Sequence, residues 1–142
     1  MTAHWLLFIG TLFREPQNLS PNVLAGLRVL VLEDEFLIAM DVEMLCRDHG
    51  AADVIIKRSL DEFDGSDNFA DFDVAIIDLM LSNVSTLPFA KRLAKAGRPF
   101  IFASGYVEVD EVLEAFPGVP VIGKPYMGTD LVNAVASVVG RR

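Results

Sequence analysis

The feature that most constrains the fold of this chain is a regular alternation, from Arg28 onward, of short apolar runs with longer helix-like segments. The first run, RVLVLE at Arg28–Glu33, is rich in Val and Leu and ends in an acid. Such runs are typical of strands buried in a parallel sheet. The other runs predicted as strands are Asp53–Arg58, Asp73–Asp78, Pro99–Ala103 and Val119–Ile122.

The segments between and after these runs have helical periodicity. In the last of them, Leu131, Val135 and Val138 share one stripe. Five strands alternating with five helices predict right-handed βαβ crossovers and helices on both faces of a parallel sheet. The predicted helices are Glu35–His49, Ser59–Ala70 (weak, because Gly65 interrupts it), Thr86–Ala96, Asp110–Phe116 and Thr129–Val139.

Composition limits the number of domains and the classes of partner. A chain of 142 residues with 52% hydrophobic residues has the length of one domain and is too apolar for disorder. Its 12 Lys and Arg against 20 Asp and Glu give a net charge of −8, which repels nucleic-acid backbones. We therefore expect no direct nucleic-acid partner. The single cysteine excludes an intrachain disulfide and fits a reducing cytoplasm, where we expect the protein.

Residues 1–26 are predicted as an N-terminal extension and linker ahead of one domain at 27–142. The apolar run Trp5–Phe13 has nine residues, well short of the about 20 that span a bilayer, and no Lys or Arg precedes it as in a signal peptide. We therefore expect no membrane insertion. We interpret the run as a loosely attached extension or the product of an upstream start codon. The alternative is a helix docked on the domain or on a partner.

Charged and polar side chains follow four of the predicted strands. In open parallel sheets, ligands bind beyond the carboxyl ends of the strands. The carboxylates there would raise one another's pKa, and Mg²⁺ would relieve this conflict. The pattern predicts a carboxylate nucleophile for phosphoryl transfer, Asp78, beside a metal and two phosphate-binding donors. The strand-end residues are Glu33, Asp34, Asp78, Ser104 and Lys124.

Four motifs, RVLVLEDE, VAIIDLML, FIFASGY and VIGKPY, resemble in this order those of response regulator receiver domains, the CheY-like family. The resemblance covers about residues 27–139 and implies a flavodoxin-like, doubly wound α/β/α fold with strand order 2-1-3-4-5. It implies a phosphoacceptor of two-component phosphorelay signalling, served by a histidine kinase or histidine phosphotransfer protein. The chain would not be an enzyme beyond its own Mg²⁺-dependent phosphorylation and dephosphorylation.

The resemblance also assigns roles to individual residues. Asp78 is implied as the phosphoacceptor, Ser104 as the switch hydroxyl and Lys124 as the phosphate-binding lysine. The Lys124–Pro125 peptide bond is implied to be cis. The implied Mg²⁺ ligands are Glu33, Asp34, Asp78 and the backbone carbonyl of Met80.

The sequence departs from common receivers at several positions. Val121 stands where an aromatic switch residue is usual, while Ser82 and Thr86 replace a Pro and a Gly, so we expect a different output surface.

Phe102–Tyr106 resembles the motif of a subgroup with a Phe-Ala-Thr-Gly-Tyr-like sequence, whose members stand alone or are attached to sensor kinases and general-stress regulators. Because the last helix ends close to Arg142, we expect no effector domain after it. The sequence does not decide between a monomer and a homodimer.

The first predicted helix carries two apolar stripes, of which one must face the sheet. The second either widens the buried face or forms an adaptable, Met-containing docking surface for kinase helices, as in the resembled family. The first stripe is Ile38, Val42 and Leu45, and the second is Leu37, Met40 and Met44.

Three alternatives to a phosphoacceptor make different demands on the sequence. A phosphorylation-independent pseudo-receiver, acting as an interaction module, would use the same fold. A Mg²⁺-dependent phosphatase would need a second Asp where Met80 stands. A flavodoxin-type FMN binder would need a phosphate cradle after the first strand, where Glu33, Asp34 and Glu35 would repel the phosphate.

Overall fold

Strands and helices alternate along the residues that the computed structural model describes, which are 22–63, 69–105, 109–126 and 128–141. All five predicted strands form, and four of the five predicted helices are α-helices. The elements are β1 (Arg28–Leu32), α1 (Phe36–Asp48), β2 (Asp53–Lys57), β3 (Val74–Asp78), β4 (Met80–Leu81), β5 (Val84–Ser85), α2 (Leu87–Lys95), β6 (Phe100–Ser104), α3 (Val109–Ala115), β7 (Val121–Gly123) and α4 (Gly128–Val138).

The main sheet has five parallel strands in the order β2-β1-β3-β6-β7. Counted without the short hairpin strands β4 and β5, this is the predicted order 2-1-3-4-5. The central strand β3 is buried along its whole length, as expected for a strand covered on both faces. The strand next to Pro120, β7, lies at the edge, where a residue without an N–H is tolerated.

The sheet separates two apolar layers, which confirms the α/β/α architecture. On one face, α1 and α4 pack on the sheet; on the other face, α2 and α3 do so. The first layer includes Val29, Val31, Val42, Ile76, Leu131 and Val135. The second includes Leu30, Ile77, Phe89, Leu93, Phe102 and Phe116. Among the described residues, none of the helices combines the length and the apolarity needed to cross a bilayer.

The weak helix predicted for Ser59–Ala70 is wrong in its described part, which holds a single 3₁₀ turn at Leu60–Glu62. The Glu62 carboxylate accepts hydrogen bonds from the backbone N–H groups of Arg58 and Ser59. This contact belongs to a capping box with Ser59, which satisfies the start of the turn. The backbone of Phe63 is extended, with φ −98° and ψ 147°, and this ends the helical turn after Glu62.

The packed part of the chain begins before Leu27, the residue at which the sequence places the start of the domain. Val23 and Leu24 lie in the apolar layer of α1 and α4, and Leu24 has no exposed surface. The Leu24 N–H donates to the carbonyl of His49 at 2.9 Å. Arg141 donates to the carbonyls of Val23 and Ala25 at 3.2 and 2.6 Å. Val23 and Leu24 therefore belong to the core, whereas Trp5–Phe13 lies outside the described residues.

We expect Leu24→Ala to lower the free energy of unfolding by about 2–5 kcal/mol, because it removes a fully buried side chain and leaves a cavity. The matched control, Leu113→Ala, truncates a leucine that is 46% exposed and should cost within about 0.5 kcal/mol. Urea denaturation at equilibrium measures both. Equal losses in the two variants would contradict the assignment of Leu24 to the core.

Candidate functional site

The parallel sheet brings the predicted strand-end residues to one edge. Asp78 and Ser104 are the last residues of β3 and β6, and Glu33 directly follows β1. Lys124 directly follows β7, and its backbone N–H donates to the carbonyl of Ser104 at 2.7 Å. The backbone N–H of Glu33 donates to the backbone carbonyl of Lys57 at 3.0 Å. The backbone hydrogen bonds of the sheet thus fix the positions of these residues at its edge.

The side chain of Lys124 joins two carboxylates from distant parts of the chain. Its Nζ lies 2.5 Å from Glu33 Oε1 and 2.8 Å from Asp78 Oδ2. The Glu33 side chain is 3% exposed, and those of Lys124 and Asp78 are each 11% exposed. The Lys124–Pro125 peptide bond is cis, which confirms the prediction. One ammonium group therefore bridges a largely buried acidic pair.

Burial and charge act in opposite directions on the pKa values of this cluster. Burial raises the pKa of Glu33 to about 7, with a contribution from Asp78 and against the hydrogen bond from Lys124. Burial acts to lower the pKa of Lys124, but its hydrogen bonds to Asp78 and Glu33 outweigh burial and raise it. Lys124 therefore stays protonated in its ion pairs with the two carboxylates.

A short hairpin that the sequence did not predict closes over the acidic edge. Strands β4 and β5 pair in antiparallel fashion across Ser82 and Asn83, which have φ values of 48° and 67°. Positive φ at both loop residues is characteristic of a type I′ turn, whose usual Asn-Gly signal is absent here. The Ser82 N–H and hydroxyl donate to Asp34 Oδ2 at 3.0 and 3.1 Å. Although burial opposes it, this contact lowers the pKa of Asp34.

The base of the hairpin is anchored by Thr86, which sequence reasoning noted only as a departure from the family. Its hydroxyl lies 2.7 Å from the carbonyl of Asp78 and 3.1 Å from that of Leu79, and the side chain is fully buried. The Thr86 N–H also donates to Leu79 at 3.1 Å. Ser82 and Thr86 thus hold the hairpin to Asp34 and Asp78. No sequence motif marks either contact.

The acidic residues fit a hard divalent cation. Glu33, Asp34 and Asp78 each offer a carboxylate oxygen, and these oxygens all lie within 4.8 Å of one another. Mg²⁺ binds oxygens at about 2.0–2.1 Å, so oxygens on one ion lie within about 4.2 Å. The donors and their spacing therefore suit Mg²⁺ after a small adjustment.

The positions of Met80 and Ser104 agree with their predicted roles but do not test them. Met80 lies at the start of β4, and its N–H approaches Asp78 Oδ1 at 3.4 Å. The role of its carbonyl as a metal ligand stays a prediction. Ser104 is buried at the site edge, which suits a switch hydroxyl without testing that role. Tyr106, the last residue of the subgroup motif, lies outside the described residues, and the subgroup stays a prediction.

The second apolar stripe of α1 faces solvent, so it does not widen the buried face. Leu37, Met40 and Met44 are exposed, whereas Val42 of the first stripe is buried. A groove of about 600 Å³ lies between α1 and the segment that starts at Lys124. Residues along the groove include Ile38, Asp41, Leu45, Gly105, Pro125 and Tyr126.

The order of the parallel strands and the helices on both faces are those of the receiver-domain fold, and the acidic edge with its lysine lies at the carboxyl ends of the strands. Among curated proteins, the chain is 27% identical over 121 residues to the cell cycle transcriptional regulator CtrA of Caulobacter vibrioides. The match covers 81% of this chain and 51% of CtrA, so the chain spans about half the length of that relative. No protein-family model matches the sequence.

Solved structures show the same fold. The N-terminal receiver domain of a two-component response regulator from Bacteroides fragilis matches with a TM-score of 0.69 and 15% identity, over 83% of this chain and 99% of that one. The anti-anti-sigma factor PhyR from Bartonella quintana matches with a TM-score of 0.66 and 23% identity, over 80% and 47% of the two chains. The receiver-domain resemblance of the sequence motifs is thereby confirmed.

We expect Lys124→Ala to lower the free energy of unfolding by up to about 3–5 kcal/mol, because it leaves two buried carboxylates without their cation. Added Mg²⁺ should restore part of this stability, since a ligand that binds only the folded state stabilises it. Thermal and urea unfolding with and without Mg²⁺ measure both effects. The control is Lys91→Ala, at an exposed position of α2. A loss no larger than that of the control would contradict the role given to Lys124.

Proposed function

We propose that this chain is a phosphoacceptor domain of a two-component phosphorelay, which takes a phosphoryl group onto Asp78 and signals through protein contacts. The observation that carries the proposal is the Lys124 ammonium between Asp78 and Glu33, on the sheet edge that also holds Asp34. This arrangement combines a carboxylate nucleophile, a cation for phosphate and oxygen ligands for a metal.

In the proposed reaction, an Asp78 carboxylate oxygen attacks the phosphorus of a phosphohistidine. A new P–O bond forms, the P–N bond breaks, and the imidazole nitrogen leaves with the electron pair. The product is an acyl phosphate, which water later hydrolyses. Catalysis by the chain itself would be confined to this self-phosphorylation and self-dephosphorylation. Glu33, Asp34, Asp78 and the Met80 carbonyl would hold Mg²⁺, which would supply positive charge against the carboxylates and the phosphoryl group.

The phosphoryl group adds about −1.5 to −2 charges and new acceptor oxygens. Lys124 is placed to exchange its bond with Asp78 for one with a phosphoryl oxygen, because its Nζ already lies 2.8 Å from the carboxylate. Ser104 ends the neighbouring strand and supplies a hydroxyl. Because Val121 cannot act as an aromatic switch, we assign the response to Ser104 and the segment that follows it.

The partners that fit this proposal are a histidine kinase or a histidine phosphotransfer protein. Their helices would contact α1 and the groove beside it, close to the acidic edge. The net charge of −8 favours protein partners over nucleic acid. A cytoplasmic location is consistent with such partners.

We expect the wild-type protein, incubated with acetyl phosphate and Mg²⁺, to gain the mass of one phosphoryl group, and Asp78→Asn to gain none. Asparagine keeps the shape of the side chain but cannot act as the nucleophile. Intact-mass spectrometry at acidic pH reads the product, and Asp71→Asn, at an exposed position, is the control.

Labelling of Asp78→Asn at the wild-type rate would show that Asp78 is not the acceptor. If the wild-type protein also gains no phosphate, the phosphorylation-independent interaction module becomes the better account of the fold.

We expect the double variant Glu33→Gln with Asp34→Asn to bind Mg²⁺ at least about tenfold more weakly, since even residues that only orient a metal ligand change affinity by about 10- to 100-fold. Titration by calorimetry or NMR measures the affinity without reference to phosphorylation. Glu35→Gln is the matched control, because it removes the adjacent carboxylate outside the acidic cluster. Unchanged affinity in the double variant would place the metal elsewhere.

A further inference from the structure

One side of α1 presents a continuous apolar surface to solvent. We call it the α1 stripe and define it as Phe36, Leu37, Met40 and Met44, which are 61%, 75%, 43% and 60% exposed. Spacings of three and four residues place these side chains together, while Ala39, Val42 and Cys46 pack into the core from the opposite side. Exposed single apolar residues are common, but a contiguous apolar patch usually marks an interaction site.

The chain also contains an apolar segment outside the described residues. Trp5–Phe13 has the sequence WLLFIGTLF, in which seven of nine residues are large and apolar and none is charged. The segment and the α1 stripe would each lose unfavourable contact with water if they covered one another.

The described chain begins beside the α1 stripe. Leu24 is hydrogen-bonded to His49 at the C-terminal end of α1, and a Cβ on Gly50 would lie 3.3 Å from the Cα atoms of Asn22 and Ala25. The bonds from Arg141 hold this entry point in place. The attachment of residues 1–21 is therefore fixed at one end of the helix that carries the stripe.

The linker is long enough to deliver the segment to the whole stripe. At 1.5 Å per residue, Met44 lies about 8 Å and Leu37 about 18 Å along the helix from His49. Residues 14–21 are eight residues and span up to about 26 Å when extended. Docking thus needs neither a hinge in the core nor a second molecule.

Charge favours the segment over a second copy as the occupant of the stripe. Asp41 and Asp48 are exposed beside the stripe, and Glu35 is exposed at the start of the helix. The apolar segment itself has no charged residue to be repelled by these carboxylates. A face-to-face dimer would instead bring like carboxylates together in a chain of net charge −8.

We propose that Trp5–Phe13 docks on the α1 stripe of its own chain and covers it. The inference does not depend on phosphorylation of Asp78. Under the proposed function, the docked segment would compete with the kinase for the same helix.

Trp5 is the single tryptophan of the chain and reports on the segment directly. In the full chain we expect blue-shifted emission and weak quenching by acrylamide, both independent of protein concentration. Leu37→Glu with Met44→Glu should shift the emission to the solvent value and weaken docking by about tenfold or more. Leu37→Gln keeps a neutral helix-forming residue and should give a partial change.

The matched control is Leu113→Glu, which charges an exposed leucine on α3 and should leave the emission of Trp5 unchanged. Circular dichroism verifies that each variant is folded. Solvent-like emission in the wild-type protein overturns the proposal. So does a blue shift that disappears on dilution, which would assign the stripe to a second copy, or one that the α1 variants leave intact.

Discussion

The contact on which the site depends is the ammonium group of Lys124 between two nearly buried carboxylates. Burying Glu33 and Asp78 side by side would be strongly unfavourable without a cation, because both desolvation and mutual repulsion oppose their ionisation. Lys124 reaches them because β7 pairs with β6 and ends level with β3. The charge balance of the site therefore depends on the strand order. The edge strand β7 places Lys124 beside the carboxylates at the ends of β1 and β3.

Much of this arrangement could be predicted from the sequence. Strands buried on both faces leave unbroken apolar runs, so β1, β3 and β6 were recognisable without knowledge of their partners. Parallel topology then places their carboxyl ends together, which located Asp78 and Lys124. The resemblance to receiver domains added the strand order and the cis bond before Pro125, neither of which periodicity can supply.

The remaining features depend on contacts that leave no periodic trace. The hairpin turn uses Ser82 and Asn83 at positive φ without the glycine that usually marks such a turn, and a hydrogen bond to a residue 48 positions away holds it. Val23 and Leu24 are two apolar residues in a segment of prolines and glycine, too short for any pattern to indicate burial. Whether the second stripe of α1 is buried depends on how far the helix is rotated against the sheet, which only the packed structure fixes.

The hairpin also connects the acidic edge to α2, which packs on the face of the sheet away from α1. Its tip is held by Asp34 through Ser82, its base by the carbonyl of Asp78 through Thr86, and α2 begins at the next residue, Leu87. A two-residue turn between paired strands has little freedom to absorb movement. A displacement of the Asp34 carboxylate would therefore move the β4–β5 hairpin as a unit. This movement would shift the first turn of α2, which lies on the face of the sheet away from α1.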